Sequence, residues 1–263
     1  MLAEFILYVI IFLYGIVIGS FSNVLICRLP LKENIATHRS HCMTCGSQIQ
    51  WYDLIPLVSY IILRGRCRHC GAGISAQYPL VEAANGFGYV FIFANLGLTW
   101  TSILTCLLFT ILLAIAVIDW RTYEIPFGLN VTIGVLGLIK TIIDYPMGLW
   151  EHIIGFFAVS IFMLICLYAG RLIIGADCFG GGDIKLMAAA GLFLGWKCII
   201  LAFLAGCILG AVIHSVRMRM SGDNHMLAFG PYLAAGIMIA ALWGNTFIQW
   251  YILSLIHISE PMR

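Results

Sequence analysis

The chain has 263 residues, of which 62% are hydrophobic and only 10% are charged. Soluble domains carry about 25% charged residues, so this composition excludes an ordinary soluble protein and predicts an integral membrane protein embedded in the lipid bilayer. The net charge of +2 says little about partners, and no nucleic acid is expected among them.

Apolar windows approaching the ~20 residues that cross a bilayer recur along the chain. They predict an all-α polytopic membrane protein with about eight transmembrane helices. The first window is interpreted as a retained span, because its leading charge is Glu4 and it lacks the small-residue cleavage site of a signal peptide. The sixth is short for a full crossing, which indicates a tilted or partial helix. The windows lie near residues 5–26, 79–98, 102–118, 127–143, 152–174, 184–196, 198–216 and 228–250.

Basic residues indicate the orientation of these spans. If the amino terminus lies outside, eleven of the fourteen Lys and Arg residues fall in inner loops, which is the asymmetry of the positive-inside rule. Asp119, at the inner end of the third span, and Asp183, at the inner start of the sixth, then share one depth. The inner residues are Arg28, Lys32, Arg39, Arg64, Arg66, Arg68, Arg121, Arg171, Lys185, Arg217 and Arg219, and the outer ones are Lys140, Lys197 and Arg263.

Residues 27–78 form the one long polar stretch, and it carries two CxxC pairs, Cys42 with Cys45 and Cys67 with Cys70. The 21 residues between the pairs give a zinc-ribbon-like spacing, slightly longer than usual. Two disulfides or four free thiols are the alternatives, but a cytosolic loop keeps thiols reduced and favours metal. Four thiolates leave no open coordination position, so we expect a structural zinc ion.

Two segments near the cysteines have their own interpretations. The apolar stretch "LIPLVSYIIL" at 54–63 is too short to span a bilayer, so it either packs this insertion against the membrane or forms its core. His38, His41 and His69 flank the cysteines and are interpreted as solvated loop residues, with replacement zinc ligands as the alternative.

Asp119 and Asp183 are the candidate catalytic residues, since an ionisable group at the edge of a span is costly to bury. Two carboxylates within hydrogen-bond reach share one proton, so one can activate water while the other polarises a peptide carbonyl. The alternatives are a helix N-cap for Asp183 and, for Asp119, pairing with Arg121 or another basic group. Asp177 is the most serious competitor. The remaining competing acids are Asp53, Glu82, Glu124 and Asp223.

Four stretches resemble the type IV prepilin peptidase family, membrane aspartic proteases of the GxGD type that also act as N-methyltransferases. The resemblance covers nearly the whole chain. It rests on "GSFSNVLICRLP" at 19–30, "LIPLVSYIILRGRCRHCGAGISAQYPLVEAANG" at 54–86, "GGGDIKL" at 180–186 and "FGPYLAAG" at 229–236.

The resemblance implies roles for individual residues. Asp119 and Asp183 match the protease dyad, Gly180 and Gly182 the motif glycines, and Lys185 the family's lysine. Where the family often has an aspartate after the Ile-Pro pair, this chain has Phe127. The family's zinc-binding tetrad, in the domain associated with methyl transfer from S-adenosylmethionine, is matched by Cys42, Cys45, Cys67 and Cys70.

The implied activity is removal of the leader peptide of type IV prepilins, or of type II secretion pseudopilins, at the cytosolic face of the bacterial inner membrane. The new amino terminus is then methylated. The alternative is a zinc-ribbon-containing transporter that uses Asp119 and Asp183 as ion or proton sites. The predicted domains are a first transmembrane helix at 1–26, a cytosolic four-cysteine zinc-binding domain at 27–78, a transmembrane protease domain at 79–255 and a non-native or disordered tail at 256–263.

Overall fold

A computed structural model describes residues 1–35, 40–145, 148–173, 175, 178–221 and 227–259. His38, Arg39, Asp177 and Asp223, which the sequence analysis considered, lie outside these residues. The predicted all-α class is confirmed, because the described residues form α-helices, one 3₁₀ turn (Trp51–Leu54) and isolated bridges. The helices are α1 (Leu2–Arg28), α2 (Val58–Ile62), α3 (Gln77–Leu96), α4 (Trp100–Thr122), α5 (Phe127–Ile143), α6 (Leu149–Ile173), α7 (Gly181–Leu194), α8 (Trp196–Ser221) and α9 (Gly230–Ser259).

Each of the eight predicted spans corresponds to one helix. By length and composition, α1, α4, α6, α8 and α9 could cross a membrane. Helix α7 has 14 residues and so rises only ~21 Å, against the ~30 Å of a hydrocarbon core, as expected for a partial helix. Helix α9 continues to Ser259, past the end of the predicted span at 250, and residues 260–263 lie outside the described part.

The chain divides into two compact units, Met1–Ala114 and Ile115–Arg263. In the first unit, α1 and α3 pack antiparallel at backbone contact distance. A Cβ atom added to Gly15 would lie 2.7 Å from the Cα atom of Gly86, and one on Gly19 would lie 3.0 Å from the Cα atom of Glu82. The GxxxG pair formed by these two glycines of α1 therefore permits close helix packing.

A buried polar network adds to this packing. The side-chain amide of Asn85 donates to the carbonyl of Gly15 at 2.7 Å and accepts from the Thr110 hydroxyl at 2.9 Å. The Tyr89 hydroxyl lies 3.0 Å from the same Thr110 oxygen. Lipid tails are as apolar as the helix side chains, so burial of apolar surface does little to bring helices together in a membrane. Hydrogen bonds between helices, such as these, help to hold them together.

In the second unit, α7 is the central helix, with α5, α6, α8 and α9 packed around it. Its residues are buried on nearly all sides, which explains why the sequence shows no polar face there. A Cβ atom on Gly191 would lie 2.1 Å from the carbonyl oxygen of Gly155, so α6 and α7 meet backbone to backbone. At the far end of α7, a ring nitrogen of buried His152 lies 2.8 Å from the carbonyl of Leu192.

Candidate active site

Asp119 lies in the last turn of α4, and its side chain faces the start of α9. The residue is only 5% exposed. The backbone N–H of Gly230, the first residue of α9, donates to the Oδ2 atom of Asp119 at 2.9 Å. A Cβ atom on Gly230 would lie 2.8 Å from that oxygen, so this approach requires glycine.

Asp183 is the third residue of α7 and is 9% exposed. Gly180 takes the N-cap position in place of Asp183, and a Cβ atom on Gly180 would lie 3.0 Å from the Asp183 Oδ2 atom. Gly182 faces Ile125, whose Cβ atom would be 3.0 Å from an added side chain. The Asn130 amide donates to the Gly182 carbonyl at 3.4 Å. Both motif glycines therefore make room around the Asp183 turn.

The fold brings the two carboxylates close enough to interact electrostatically. Phe179 and Phe229, each directly before a glycine that contacts one of the aspartates, place their ring centroids 6.0 Å apart. Within the described residues neither aspartate forms an ion pair with a basic side chain, so the alternative in which Arg121 neutralises Asp119 is wrong. Two buried carboxylates without a basic partner repel each other when both are ionised.

Lys185 lies two residues after Asp183 on α7, and it is exposed. Its Nζ atom sits 5.3 Å from the centre of the Phe127 ring, a cation–π geometry. Phe127 is the position at which this sequence departs from the resembled family. The Phe127 ring thus contacts Lys185, which follows the three glycines at 180–182.

The two CxxC pairs form matching knuckles in the first unit. The N–H of Cys42 donates to the carbonyl of Ser47 at 2.9 Å, and the N–H of Cys67 donates to that of Ala72 at 2.8 Å. One isolated antiparallel bridge closes each knuckle, His41 with Gln48 and Arg66 with Gly73. The segment is thus a structural repeat with a 25-residue period.

The four thiols converge, since all four Sγ atoms lie within 4.8 Å of one another. Cys42 and Cys70 place their sulfur atoms 3.8 Å apart, which is the edge of a tetrahedron with Zn–S bonds of about 2.3 Å. Backbone N–H groups of Cys45 and Thr44 lower the pKa of the Cys42 thiol to about 6. A thiolate is the form that binds metal, and the four-thiol donor set with this sulfur spacing could hold a metal ion.

The apolar stretch at 54–63 is not the core of this segment. Ser59 is its one buried residue among those described, whereas Val58, Ile61 and Ile62 are exposed. The segment is instead held by polar contacts. Ser59 donates to the carbonyl of Tyr52 at 2.9 Å. Arg68 forms two hydrogen bonds with Asp53, at 2.6 and 2.9 Å, and these lower the pKa of the Asp53 carboxyl.

Sequence reasoning missed Gly230 and Asn130 as parts of the site. Gly230 lies 111 residues from Asp119, so no local pattern links them. Its one signal was the "FGPYLAAG" stretch, which contributed only to the family resemblance. Asn130 gave a signal as a polar residue inside an apolar helix, and its buried side chain supports the Gly182 turn.

Comparison with known proteins identifies the family. Residues 13–96 match the Bacterial Peptidase A24 N-terminal domain, and residues 106–215 match the Type IV leader peptidase family. A protein of Aeromonas salmonicida (strain A449) is 31% identical, with 94% of each chain covered. The chain belongs to the type IV leader peptidase family. The Aeromonas relative is named prepilin leader peptidase/N-methyltransferase, as is a Pseudomonas aeruginosa protein that is 32% identical over 91% of each chain.

Membership confirms the family resemblance and the prediction that the chain is an enzyme of the leader peptidase kind. With its apolar helices, the chain is a multi-pass inner-membrane member of this family. No solved structure matches the chain. The roles of individual site residues, the domain bounds and the membrane orientation stay predictions.

Proposed function

We propose that the chain is a membrane aspartic endopeptidase that removes the leader of a type IV prepilin or pseudopilin, with Asp119 and Asp183 as the catalytic pair. One observation carries this proposal: two buried carboxylates from α4 and α7 interact with each other, and neither has a basic partner among the described residues. A glycine lies against each carboxylate, where an added Cβ atom would come within 3.0 Å of a carboxylate oxygen.

The proposed chemistry needs only water and this pair. The ionised carboxylate takes a proton from a water molecule, which attacks the scissile carbonyl carbon. The protonated carboxyl group donates its proton to the carbonyl oxygen and so stabilises the developing charge. The tetrahedral intermediate then collapses, the C–N bond breaks, and the leaving amine takes a proton from the pair. No serine or cysteine nucleophile is involved.

We further infer that cleavage is followed by methylation of the new α-amino group. Cys42, Cys45, Cys67 and Cys70 would hold a structural zinc ion, which fits their donor set and their sulfur spacing. S-adenosylmethionine, when bound, supplies the methyl group. The first unit has buried polar atoms without hydrogen-bond partners among the described residues, which suit a polar ligand there.

The proposed orientation places the amino terminus outside and the aspartates at the cytosolic face. Both aspartates lie at helix ends that the distribution of basic residues assigns to the inner side. A substrate whose leader lies in the cytosol would meet the aspartates at this face.

The test uses the purified full-length chain, a prepilin-like peptide and S-adenosylmethionine, with mass spectrometry of the product's amino terminus. We expect a trimmed, singly methylated product, and no trimming by Asp119→Asn or Asp183→Asn. Glu151→Gln, at an exposed acid of the same unit, is the control and should cut normally. Absence of cutting, where a relative cuts the same peptide, would overturn the proposal.

A further inference from the structure

A cluster of buried polar atoms lies where α1 and α3 meet in the first unit. Asn23 is 2% exposed, and its Nδ2 atom donates to the carbonyl of Tyr78 at 3.1 Å. This bond fixes the amide orientation and leaves Oδ1 as an acceptor with no partner among the described residues. The hydroxyl of Ser22 and the amide of Gln77 are likewise buried without partners in that part of the chain.

Glu82 lies one helical turn beyond Tyr78 on α3 and is 7% exposed. Its Oε2 atom accepts the backbone N–H of Leu57 at 2.9 Å. A carboxylate has about four acceptor positions, so this bond leaves capacity unused. The described residues place no Lys or Arg in an ion pair with Glu82.

The helix register places Asn23 and Glu82 within one turn of each other. Gly15 faces Gly86, and Gly19 faces Glu82. The contact of Asn23 with Tyr78 continues the same antiparallel register. Each step of four residues rises ~6 Å along a helix. The polar atoms therefore line one short stretch of the α1–α3 interface, at the end where α1 leads into the cysteine segment.

The partnerless Asn23 Oδ1 atom and the spare positions on Glu82 are hydrogen-bond acceptors, whereas the Ser22 hydroxyl and the Gln77 amide can each donate as well as accept. Buried acceptors without donors are unfavourable, and a buried carboxylate without a cation more so. A primary ammonium group supplies three N–H donors and a positive charge. We propose that this cluster binds the free α-amino group that is to be methylated, with Glu82 as its proton acceptor and Asn23 as the acceptor that orients it. The inference rests on the proposed function.

The reaction at this site balances with the sulfonium methyl donor as co-substrate. The α-ammonium group gives one proton to the Glu82 carboxylate and becomes a neutral amine. The amine lone pair attacks the methyl carbon, and the C–S bond breaks with its electron pair remaining on sulfur as a thioether. The product is a secondary ammonium group, and Glu82 releases its proton to water.

A purely structural role for Glu82 is the competing explanation, because it holds the N–H of Leu57, a residue with φ of 60°. Glu82→Gln separates the two roles. The glutamine carbonyl can still accept the Leu57 N–H, but it cannot take a proton from an ammonium group. Asn23→Leu removes the orienting acceptor without touching Glu82.

The kinetic test uses the full-length chain, S-adenosylmethionine and a peptide that already has the trimmed amino terminus. Glu82→Gln should lower kcat for methylation about 100-fold or more, the usual contribution of a general base. Leader cleavage and zinc content should stay normal. Asn23→Leu should raise KM for the peptide about tenfold, as expected for a lost hydrogen bond to a charged group. Glu33→Gln, at an exposed acid, is the matched control.

The binding test omits the methyl donor and compares the trimmed peptide with its N-acetylated form. The unmodified chain should prefer the free amine, and both variants should lose that preference. Normal methylation by Glu82→Gln, or an unchanged preference, would overturn the inference. So would joint loss of methylation, cleavage and zinc, which would indicate a structural role. If the unmodified chain cleaves the leader but never methylates the product, both this inference and the methyltransferase half of the proposed function fail.

Discussion

Glycine next to each candidate aspartate is the feature that shapes the site at the scale of single residues. Gly230 donates its N–H to Asp119, and Gly180 lies against the carboxylate of Asp183. In both places an added methyl group would come within 3.0 Å of a carboxylate oxygen. Close approach of a carboxylate, and not backbone conformation, is therefore what requires glycine at these two positions, because neither residue has a positive φ.

Gly230→Ala should impair cleavage without unfolding the chain. The added Cβ atom would lie 2.8 Å from the Asp119 Oδ2 atom, so the carboxylate must move. A displacement of about 1 Å can reduce a rate about 100-fold, and we expect a loss of that size in kcat for trimming. Gly181→Ala is the matched control, since nothing lies within 4 Å of its added methyl group. Equal activity of the two variants would contradict this account.

The sequence predicted the aspartates but not their surroundings. Asp119 and Asp183 interrupt apolar stretches, and because burying a charge is costly, the sequence alone identifies them as candidates. Gly230, which donates to Asp119, and Asn130, which donates to the Gly182 carbonyl, come from other helices, and nothing in the sequence distinguishes Gly230 from the other 26 glycines. Long-range packing decides such contacts, and local pattern does not report it.

At the scale of helices, α7 has a composition that follows from its place in the second unit. A helix surrounded by four others needs no polar face, and it needs small residues where backbones touch. Gly191 meets Gly155 of α6, and a Cβ atom added to Gly137 of α5 would lie 3.0 Å from the backbone carbonyl carbon of Leu192. The short apolar window at 184–196 predicted the partial helix. The backbone contacts of Gly191 and Gly137 could not be predicted from the sequence and are known only from the structure.

Gly191→Ala should destabilise the second unit and reduce cleavage through α7. Its Cβ atom would lie 2.1 Å from the Gly155 carbonyl oxygen, which is backbone and cannot rotate away. Overpacking of this kind costs about 1–3 kcal/mol, so thermal unfolding in detergent should begin at a lower temperature.

Gly134→Ala on α5 supplies the comparison for that measurement. Nothing lies within 4 Å of its added methyl group, and alanine favours a helix over glycine by about 1 kcal/mol. The Gly134 variant should unfold at the same or a higher temperature. If both variants shift equally, the α6–α7 contact is not what sets stability.

At the scale of the whole molecule, the orientation in the membrane decides which compartment meets the aspartates. The charge pattern predicts an outer amino terminus, an inner loop after α1 and an outer turn after α3. Green fluorescent protein inserted after Glu33 should fluoresce, and alkaline phosphatase inserted after Gly97 should be active. The opposite result would place the aspartates at the outer face and contradict the proposed substrate access.

The two compact units suggest a division of labour between methylation and cleavage. The four cysteines lie in Met1–Ala114, whereas both aspartates lie in Ile115–Arg263. The cysteine segment has little apolar core, since Ser59 is its one buried residue among those described at 51–62. A segment of this kind depends on its metal for folding.

Cys45→Ser should therefore remove bound zinc, expose residues 40–74 to protease and abolish methylation, because the Glu82 side chain receives a hydrogen bond from this segment at Leu57. Cleavage should continue, since its carboxylates belong to the other unit. Metal content, limited proteolysis and product mass measure the three effects. Cys178→Ser, at an exposed cysteine outside the cluster, is the control. Loss of cleavage together with methylation would show that the second unit depends on the first.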